Sequence, residues 1–587
     1  MMLVPFVVIL CGTISTFLSQ YRATLQITML SSSYSSFGTS HEDILSFLKQ
    51  SSSSSLSYHD DILSQSNIWK SRTATTNENG EEEVKDLPTK PLNVLILYPD
   101  DWRHDDLGDA NPELYTPMFT SLAAAGVRFT HNAVTTSICW ISRATLFTGQ
   151  YVSRHESTYL FRPQFAADAS AWGRSWPALL QRYGGYWIGH IGKWQYRDAD
   201  NYKRRLFNFS SYFEGWIVRH NDKTGGSEYI ADLAGSEAIR FLRERPKDRP
   251  FAATIAFYPP KGIADPTAAK GNYTNMYRSK VFEEAYDRTV AYQRLLPFLQ
   301  NNRTDARARY LYRYETDGDY HNATLAQYAT LTHLDAVCGE IVQELKRQGV
   351  YDTTMIIVTA DNGEFHGRHA LADKWYPYEE SIRVPLIIRD PRMSHSVRGT
   401  LNDEFALNID LAPTILGAAG LSSLLPSTSM QGRDIADLYL PSNPGYVGPS
   451  RRNNEGQQQQ PQQQQQQAHP WRKEFYYEFP HIQTTIPPSV ALVRKHYKYI
   501  DWWFHGHEEL FDLRNDPFEL HNIANDTRWD ALKREMHHRL HALRHEMYGS
   551  DHIPGTRCDP LTPAGTDLTK LPNCSKYFPD RCCPYPK

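Results

Sequence analysis

Long hydrophobic runs are scarce in this chain of 587 residues. The main candidate lies within residues 1–18, where the apolar part has the length of a signal-peptide core but is short for a spanning helix. We therefore expect residues 1–20 to be a signal peptide, or a membrane anchor if the segment stays uncleaved. No later run is long and apolar enough to cross a bilayer, so a membrane contact is expected only through an uncleaved N-terminal segment.

A strong excess of charge of either sign is also lacking. The formal net charge is −4 with 22% charged residues, which gives no electrostatic basis for binding nucleic acid. We expect no nucleic-acid partner. The 40% hydrophobic content is ordinary for a globular enzyme, and the length allows more than one domain because single cores stop growing at roughly 250 to 300 residues.

Cysteine is sparse, and four of the seven cysteines crowd the last thirty residues among prolines. They are Cys558, Cys574, Cys582 and Cys583. Their spacing lacks the paired C-x2-C knuckles of a zinc site, so we expect residues 549–587 to be a disulfide-stapled tail, with zinc binding as the alternative. Six N-x-Ser/Thr sequons fit a glycosylated protein of an oxidising compartment. They begin at Asn208, Asn272, Asn302, Asn322, Asn525 and Asn573.

Two low-complexity segments divide the chain. Residues 21–88 are rich in Ser, Thr and Asn and cannot bury enough apolar surface to fold alone, so they are predicted to be a disordered linker. Residues 441–470 contain a glutamine run and are predicted to be a disordered insertion at a domain boundary. A large domain over 89–440 and a smaller one over 471–548 follow from this division.

The large domain shows short apolar runs alternating with helical patterns, which predicts an α/β fold. A large central, mostly parallel sheet flanked by helices is expected. The predicted strands are 92–98, 186–191, 251–257, 355–359 and 384–388. Their continuous apolar character indicates parallel strands buried on both faces. Apolar residues at helical spacing over 331–345, followed by Gly349, predict one of the helices.

The smaller domain is predicted to be α+β, with a short antiparallel sheet. Residues 475–479, 490–493 and 497–503 have the composition of strands, and a helix is expected over about 529–547.

Polar side chains follow two of the predicted strands directly. Asp100 and Asp101 come after the strand 92–98, and Asp361 and Asn362 come after the strand 355–359. If both strands are parallel, these side chains meet at one edge of the sheet, where ligands bind in open α/β folds. Carboxylate and amide oxygens suit Ca²⁺ or Mg²⁺. The alternative is that each pair only forms a turn, which is the usual role of such dipeptides alone.

Cys139 and Arg143 stand at a predicted helix start, and a spacing of four places them on the same helical face. A helix N-terminus favours anions through its free N–H groups, and an arginine can neutralise a neighbouring oxyanion. The alternative is a buried structural cysteine, which is the common state of a lone cysteine.

These motifs, taken in order over about residues 90–545, resemble the sulfatase family of the formylglycine type, which is arylsulfatase-like and belongs to the alkaline phosphatase superfamily. Sulfatases carry C-x-P-S-R where this chain has Cys139-Trp-Ile-Ser-Arg143. The resemblance implies that the formylglycine-generating enzyme oxidises Cys139 to formylglycine, which would serve as nucleophile and as one metal ligand. It also implies a sulfatase-like catalytic domain over 89–440, with Ca²⁺, or alternatively Mg²⁺, held by both acidic pairs.

Further motifs assign other roles by the same resemblance. Gly192-Lys-Trp-Gln195 is similar to the family's G-K-W-H segment, which makes Lys193 a sulfate-binding lysine. In the segment after Asn362, His369 would be a general acid and Lys374 would bind the sulfate and the leaving oxygen. Lys261 and Gln195 would contact the substrate.

The chain departs from the family pattern at three places. Ile141 replaces the proline of C-x-P-S-R, Gln195 replaces a histidine, and Pro259-Pro260-Lys261 stands where the family has P-H-x-P. Neither glutamine nor a protonated lysine is an equivalent proton donor to histidine near neutral pH.

The leading hypothesis is a sulfuric ester hydrolase, secreted or in an endomembrane or lysosomal lumen, acting on a small-molecule or glycan sulfate ester. One alternative is a phosphonate or phosphate ester hydrolase of the same superfamily, because the segment from Gly367 to Lys374 also resembles phosphonate monoester hydrolases. A catalytically silent protein that binds sulfated glycans is a second alternative, motivated by the three departures. An interaction scaffold is a third.

Overall fold

The computed structural model describes residues 72–76, 82–86, 91–440 and 470–548, with gaps at 156, 158–171, 196–205, 214–217, 222–225, 263–266, 268, 285 and 481–484. The chain forms two compact units, Met1–Thr89 and Lys90–Lys587. The described part of the first unit is an antiparallel hairpin of β1 (Arg72–Thr76) and β2 (Glu82–Asp86), which lies within the segment predicted to be a linker. The predicted signal segment, the glutamine run and the four clustered cysteines lie outside the described residues.

The second unit contains one large sheet, one smaller sheet and a short hairpin. Its strands are β3 (Asn93–Leu97), β4 (Val127–Ala133), β5 (Trp187–Gly192), β6 (Phe209–Tyr212), β7 (Val218–Asn221), β8 (Gly226–Tyr229), β9 (Phe251–Ala256), β10 (Thr354–Thr359), β11 (Leu386–Arg389), β12 (Thr400–Leu407), β13 (Glu474–Phe479), β14 (Ser489–Arg494), β15 (Tyr497–Trp502) and β16 (His507–Asp512). Its helices are α1 (Pro117–Ala124), α2 (Cys139–Thr148), α3 (Val152–His155), α4 (Trp176–Gly184), α5 (Ile230–Glu244), α6 (Gly271–Tyr277), α7 (Arg288–Arg294), α8 (Asp305–Arg313), α9 (Asp317–Arg347), α10 (Glu379–Ile382), α11 (Leu411–Ala418) and α12 (Asp530–Tyr548). Within the described ranges, no helix combines the length and the apolar character that a membrane span requires.

The large sheet has eight strands in the order β12-β4-β11-β10-β3-β9-β5-β6. Neighbouring strands are parallel except on either side of β11, which is antiparallel to both β4 and β10. Every residue of the central strands β3, β9 and β10 is buried, because helices cover both faces. The predicted α/β fold with a mostly parallel central sheet is confirmed.

Strand β11 differs from its prediction. The apolar run 384–388 was expected to be a parallel strand, but the observed strand Leu386–Arg389 is antiparallel. Between the end of β10 and the start of β11 the chain contains only loops, one 3₁₀ turn and the four-residue helix α10. The chain therefore does not return to the end of the sheet at which β10 begins, as a connection between parallel strands requires.

Helix α9 is the longest helix of the described residues, and the predicted segment 331–345 lies inside it. Its start is fixed by a capping box, in which the Thr316 side chain accepts from the N–H of Asp319 and the Asp319 carboxylate accepts from Thr316. The helix ends just before Gly349, which has a φ of 67°. Sequence thus sets both ends of this element.

The C-terminal sheet is an antiparallel meander of β13, β14, β15 and β16, with α12 packed against it. This confirms the predicted small α+β region and adds a fourth strand, β16. Tyr476, Tyr477 and Trp502 are among the largest fully buried side chains of the molecule. The aromatic content of the sheet therefore forms a core rather than an exposed surface.

Candidate active site

The two acidic pairs meet at the carboxyl edge of the large sheet. Strands β3 and β10 are parallel neighbours with Leu97 opposite Val358, so the segments after them emerge side by side. The backbone N–H of Asp101 donates to Asp361 Oδ1 at 3.1 Å, and Asn362 Nδ2 donates to Asp101 Oδ1 at 2.6 Å. The structure therefore brings all four side chains of the expected metal site together.

Cys139 is the first residue of α2, and all ten residues of this helix are buried. Its Sγ lies 4.0 Å from Asp101 Oδ1, 3.0 Å from Lys374 Nζ and 3.2 Å from Lys261 Nζ. The thiol is thus surrounded by one carboxylate and two ammonium groups, at the helix end whose dipole favours negative charge.

Arg143 lies one turn further along α2 and binds Asp361. Its Nε and Nη2 donate to Asp361 Oδ2 at 3.0 and 2.7 Å, and its Nη1 donates to the carbonyl of Lys193 at 3.2 Å. The guanidinium also lies 5.1 Å from the ring centroid of Tyr98. Arg143 therefore binds a predicted metal ligand, Asp361. From the sequence, we had expected Arg143 to neutralise an oxyanion next to Cys139.

Two further loops complete the cluster from neighbouring strands. Lys193 follows β5 and forms a buried ion pair with Asp100. Lys261 follows β9, and its Nζ lies 3.0 Å from Asp101 Oδ2 and 3.5 Å from Asp100 Oδ1. The Lys261 side chain is 23% exposed, against at most 3% for Lys193 and Lys374. Lys261 therefore marks the side from which solvent reaches Cys139.

Electrostatic interactions keep Asp100 and Lys374 ionised despite burial. Burial alone would raise the pKa of Asp100, but Lys193, Lys261 and Lys374 hold it well below its ordinary value. Burial likewise acts to lower the pKa of Lys374, but Asp101, Cys139 and Asp100 together outweigh it, so this pKa is raised. Four cations and three carboxylates converge here, which leaves an excess of positive charge suited to an anion.

Two oxygens of the cluster fit a hard cation. Asp100 Oδ1 and Asn362 Oδ1 are buried and accept no hydrogen bond from any described residue. Ligand atoms of Asp100, Asp101 and Cys139 also lie within 4.8 Å of one another. Buried oxygens that accept no hydrogen bond are costly unless something binds them. An oxygen-ligated divalent ion such as Ca²⁺ or Mg²⁺ matches this donor set.

Comparison with known proteins now identifies the family. The sulfatase family model matches residues 92–421, which is more than half of the chain. The chain belongs to the sulfatase family. A second model, for the C-terminal region of N-sulphoglucosamine sulphohydrolase, matches residues 448–546. The predicted family is confirmed.

Individual relatives agree with this membership. An N-acetylglucosamine-6-O-sulfatase of Bacteroides thetaiotaomicron is 24% identical over 76% of this chain and 85% of its own length. A solved structure in complex with its substrate D-glucosamine-2-N,6-O-disulfate has a TM-score of 0.61 at 21% identity, covering 78% of this chain and 98% of that one. A phosphonate monoester hydrolase from Silicibacter pomeroyi has a TM-score of 0.60 at 21% identity, with coverage of 78% and 96%. The two structural likenesses establish the fold, and the family membership agrees with the predicted sulfatase-type hydrolase.

His369 and Gln195 stand apart from the contacts of Cys139 in this sulfatase. His369 Nε2 lies 3.4 Å from Glu380 Oε2, and its ring stacks on Tyr378 with centroids 4.8 Å apart. No hydrogen bond or ion pair of the described residues joins His369 to Cys139. Gln195 lies two residues beyond Lys193, half-buried and with a φ of 70°. Their roles in proton transfer and substrate binding stay predictions.

Tyr477 is a residue that the sequence analysis missed. It lies on β13 of the C-terminal sheet, and its phenol accepts a hydrogen bond from the N–H of Ser137 at 3.3 Å. The same hydroxyl donates to the carbonyl of Trp375 at 2.7 Å. Ser137 lies two residues before Cys139 and Trp375 directly follows Lys374. One buried phenol of this sulfatase therefore joins the two segments that meet at the thiol.

Replacing Tyr477 with phenylalanine is expected to lower kcat for an aryl sulfate by about tenfold to a hundredfold, because small displacements of catalytic groups carry large kinetic penalties. KM should change much less, since no substrate contact is removed. Steady-state kinetics measure both constants. Tyr499→Phe is the matched control, because its buried hydroxyl on β15 contacts Glu508 and His537 instead. An equal loss of kcat in both variants would show that Tyr477 has only a structural role.

A buried polar network also connects the C-terminal sheet to the loop that carries Lys374 and His369. Lys498 Nζ lies 2.7 Å from both Glu379 and Glu519, and its side chain is fully buried. Tyr378 donates to Glu509 at 2.9 Å, and Trp502 Nε1 donates to the same carboxylate at 2.8 Å. Burial raises the pKa of Glu509 to about 7 in spite of these donors.

The raised pKa of Glu509 predicts a specific pH dependence of stability. Between about pH 4.5 and 7 the folded protein keeps a proton that the unfolded chain releases, so the free energy of unfolding falls as pH rises. The total loss from this group is about 3 kcal/mol. Glu509→Gln should remove this pH-dependent loss. In denaturant titrations, the free energy of unfolding of the variant should therefore rise relative to that of wild type between pH 5 and pH 8.

Glu508→Gln provides the comparison on the same strand. A hydrogen bond from His537 lowers the pKa of Glu508 to about 2. The stability that ionised Glu508 contributes is therefore lost only as pH falls below the ordinary pKa of a glutamate. No corresponding slope is expected for Glu508→Gln between pH 5 and 8. A Glu509→Gln variant that tracks wild type over this range would contradict the assignment of Glu509.

Proposed function

We propose that this sulfatase hydrolyses sulfate esters with a formylglycine made from Cys139 and a divalent metal, preferably Ca²⁺. The observation that carries the proposal is the set of contacts of Cys139, whose Sγ lies about 3 Å from Lys261 and Lys374 and 4.0 Å from Asp101. The Sγ atom stands where the oxygen of hydrated formylglycine would be attached to the same Cβ. An attacking oxygen there would face the cations that bind the sulfate.

The residues present suit this chemistry. Asp100, Asp101, Asp361 and Asn362, together with the modified residue 139, would hold the metal, which would supply positive charge to the sulfate group. Lys261 and Lys374 reach the same point and would bind sulfate oxygens through their ammonium groups. Arg143 would keep Asp361 ionised and oriented. His369, supported by Glu380, would donate a proton to the leaving oxygen.

A sulfated amino sugar is the substrate class that the relatives favour. The Bacteroides relative is an N-acetylglucosamine-6-O-sulfatase, and the similar solved structure contains D-glucosamine-2-N,6-O-disulfate. We propose a glycan sulfate ester as the substrate on this basis. We also propose a secreted or lumenal location, because the five sequon asparagines within the described residues are all exposed, as glycosylation requires.

Two measurements on one preparation test the proposal. Mass analysis of the peptide that contains Cys139 should show formylglycine, and the same protein should release sulfate from 4-nitrophenyl sulfate in a manner that a chelator abolishes and Ca²⁺ restores. An unmodified thiol in active protein would exclude the formylglycine mechanism. Formylglycine without turnover, combined with affinity for sulfated glycans, would favour the silent binding protein.

A phosphonate ester hydrolase is the second candidate, favoured by the structural likeness to the Silicibacter pomeroyi enzyme. Matched aryl sulfate and aryl phosphonate substrates discriminate between the two. We expect a higher kcat/KM for the sulfate, and the reverse ratio would establish the second candidate.

A further inference from the structure

One face of helix α12 carries a row of basic and titratable side chains. Arg534, His538, His541 and His545 are separated by four, three and four residues, so they lie along a single helical face. Arg534, His538 and His545 are exposed, and His541 is half-buried with its ring 4.4 Å from that of His537. At a rise of about 1.5 Å per residue the row is about 16 Å long. We call these four residues the α12 row.

Two carboxylates of α12, Glu535 and Glu546, have cationic partners, and the third, Asp530, lies one turn before Arg534. Glu535 accepts from Arg494 at 2.8 Å through both oxygens, and Glu546 accepts from Arg539 at 2.8 Å. No ion pair of the described residues engages Arg534. Glu535 and Glu546 are therefore engaged elsewhere and do not neutralise Arg534, His538 or His545.

Elements packed against α12 add few free negative charges. Glu474 on β13 is bound by Arg494 and Arg539. Glu508 on β16 accepts from Tyr499 of β15 and lies 3.5 Å from Lys533 and 3.6 Å from His537. In the turn before the helix, Asp526 pairs with Arg528.

Helix α3 adds one exposed cation, Arg154, next to the C-terminal end of α12. Exposed Arg154 donates from Nε to the carbonyl of Met547 at 3.1 Å, at the C-terminal end of α12. The neighbouring His155 is buried, and burial lowers its pKa to about 3, so it stays neutral. Helix α3 also packs against α2, which begins at Cys139. Helix α3 thus packs between the C-terminal end of α12 and the helix that begins at Cys139.

We propose that the α12 row binds the chain of a sulfated polysaccharide, at a distance from the ester that is cleaved. This inference rests on the proposed sulfatase function and narrows its substrate to a polymer. A sulfated polysaccharide repeats its anionic groups along its length, so several can contact a row of this kind while one sulfate occupies the active site. Three of the four side chains are histidines, whose imidazole rings can take up a proton and so add positive charge in acidic solution. Affinity therefore increases on acidification, which distinguishes this surface from a lysine or arginine patch.

The experiment compares the full chain with the triple variant Arg534→Gln, His538→Gln, His545→Gln. Binding to immobilised dextran sulfate is measured at pH 5.5 and pH 7.5 at fixed ionic strength. Wild type should bind at least about tenfold more tightly at pH 5.5, and the triple variant should lose most of that gain. A control triple variant replaces exposed arginines elsewhere, Arg243→Gln, Arg249→Gln and Arg347→Gln, and should retain the pH-dependent binding.

Kinetics provide the second measurement. The ratio of kcat/KM for a sulfated polysaccharide to kcat/KM for 4-nitrophenyl sulfate should fall in the triple variant and stay constant in the control. The binding measurement does not require turnover. A protein that releases no sulfate but still shows pH-dependent binding through the α12 row would therefore contradict the proposed catalysis and leave the binding inference standing. Equal binding of wild type and triple variant at pH 5.5 overturns the inference. Equally tight, equally pH-dependent binding of double-stranded DNA overturns the assignment to a polysaccharide.

Discussion

Replacing Cys139 with alanine is expected to lower kcat for an aryl sulfate by at least about 10⁴-fold, because the variant lacks the side chain that is proposed to become the nucleophile. The surrounding lysines and carboxylates remain, so anion binding should persist. Initial rates measure the loss, and equilibrium binding of inorganic sulfate to the variant measures the retained affinity.

Cys338→Ala is the matched control. Cys338 is the other unpaired cysteine among the described residues and is buried in α9. Burial raises the pKa of its thiol well above the ordinary value, which keeps it protonated and unreactive. Its replacement creates a small cavity and should leave kcat unchanged. If Cys139→Ala retained substantial turnover, the nucleophile would have to be a different group.

Replacing Arg143 with methionine is expected to give the largest loss of stability. Asp361 and Arg143 are both buried, and removal of the guanidinium leaves a carboxylate next to Asp100 without its cation. Breaking a buried ion pair in this way costs about 3 to 5 kcal/mol. Denaturant unfolding of the chelator-treated protein measures the change. Added Ca²⁺ should recover part of the lost stability, because a bound cation would neutralise the uncompensated charge of Asp361.

Arg240→Met tests whether the effect is specific to a buried pair. Arg240 is 46% exposed on α5 and pairs with Glu237 and Glu244. Exposed pairs of this kind contribute less than about 1 kcal/mol. Similar losses in the two variants would contradict the view that Asp361 depends on Arg143.

The central strands could be predicted from the sequence because they are apolar without interruption. Strands β3, β9 and β10 are buried on both faces, so each appears in the sequence as a continuous apolar segment. Such a segment can be recognised without knowledge of the tertiary structure. Strands β4 and β12 were missed because polar residues interrupt them. Only four of the seven residues of β4, and the last three of β12, are buried.

The candidate site was readable for a similar reason. Its acidic pairs and Lys193 lie just after strands, and Cys139 lies at a helix start, so chain position alone predicts one common edge for these residues. Lys261 and Lys374 lie further along their loops and were assigned only by the family resemblance. The role of Tyr477 could not be read in this way. Its partners Ser137 and Trp375 lie 340 and 102 residues away in sequence, and a tyrosine within the aromatic strand β13 gives no signal of these contacts.

The position of Tyr477 has a consequence for how the enzyme could be divided. A recombinant fragment that stops at residue 440 lacks this phenol, and it also leaves Glu379 buried without Lys498. Such a truncation would lose the geometry around residue 139 although every catalytic side chain is present. Two separately expressed polypeptides, one ending before the glutamine run and one starting after it, would instead retain the residues on both sides of the Tyr477 and Lys498 contacts.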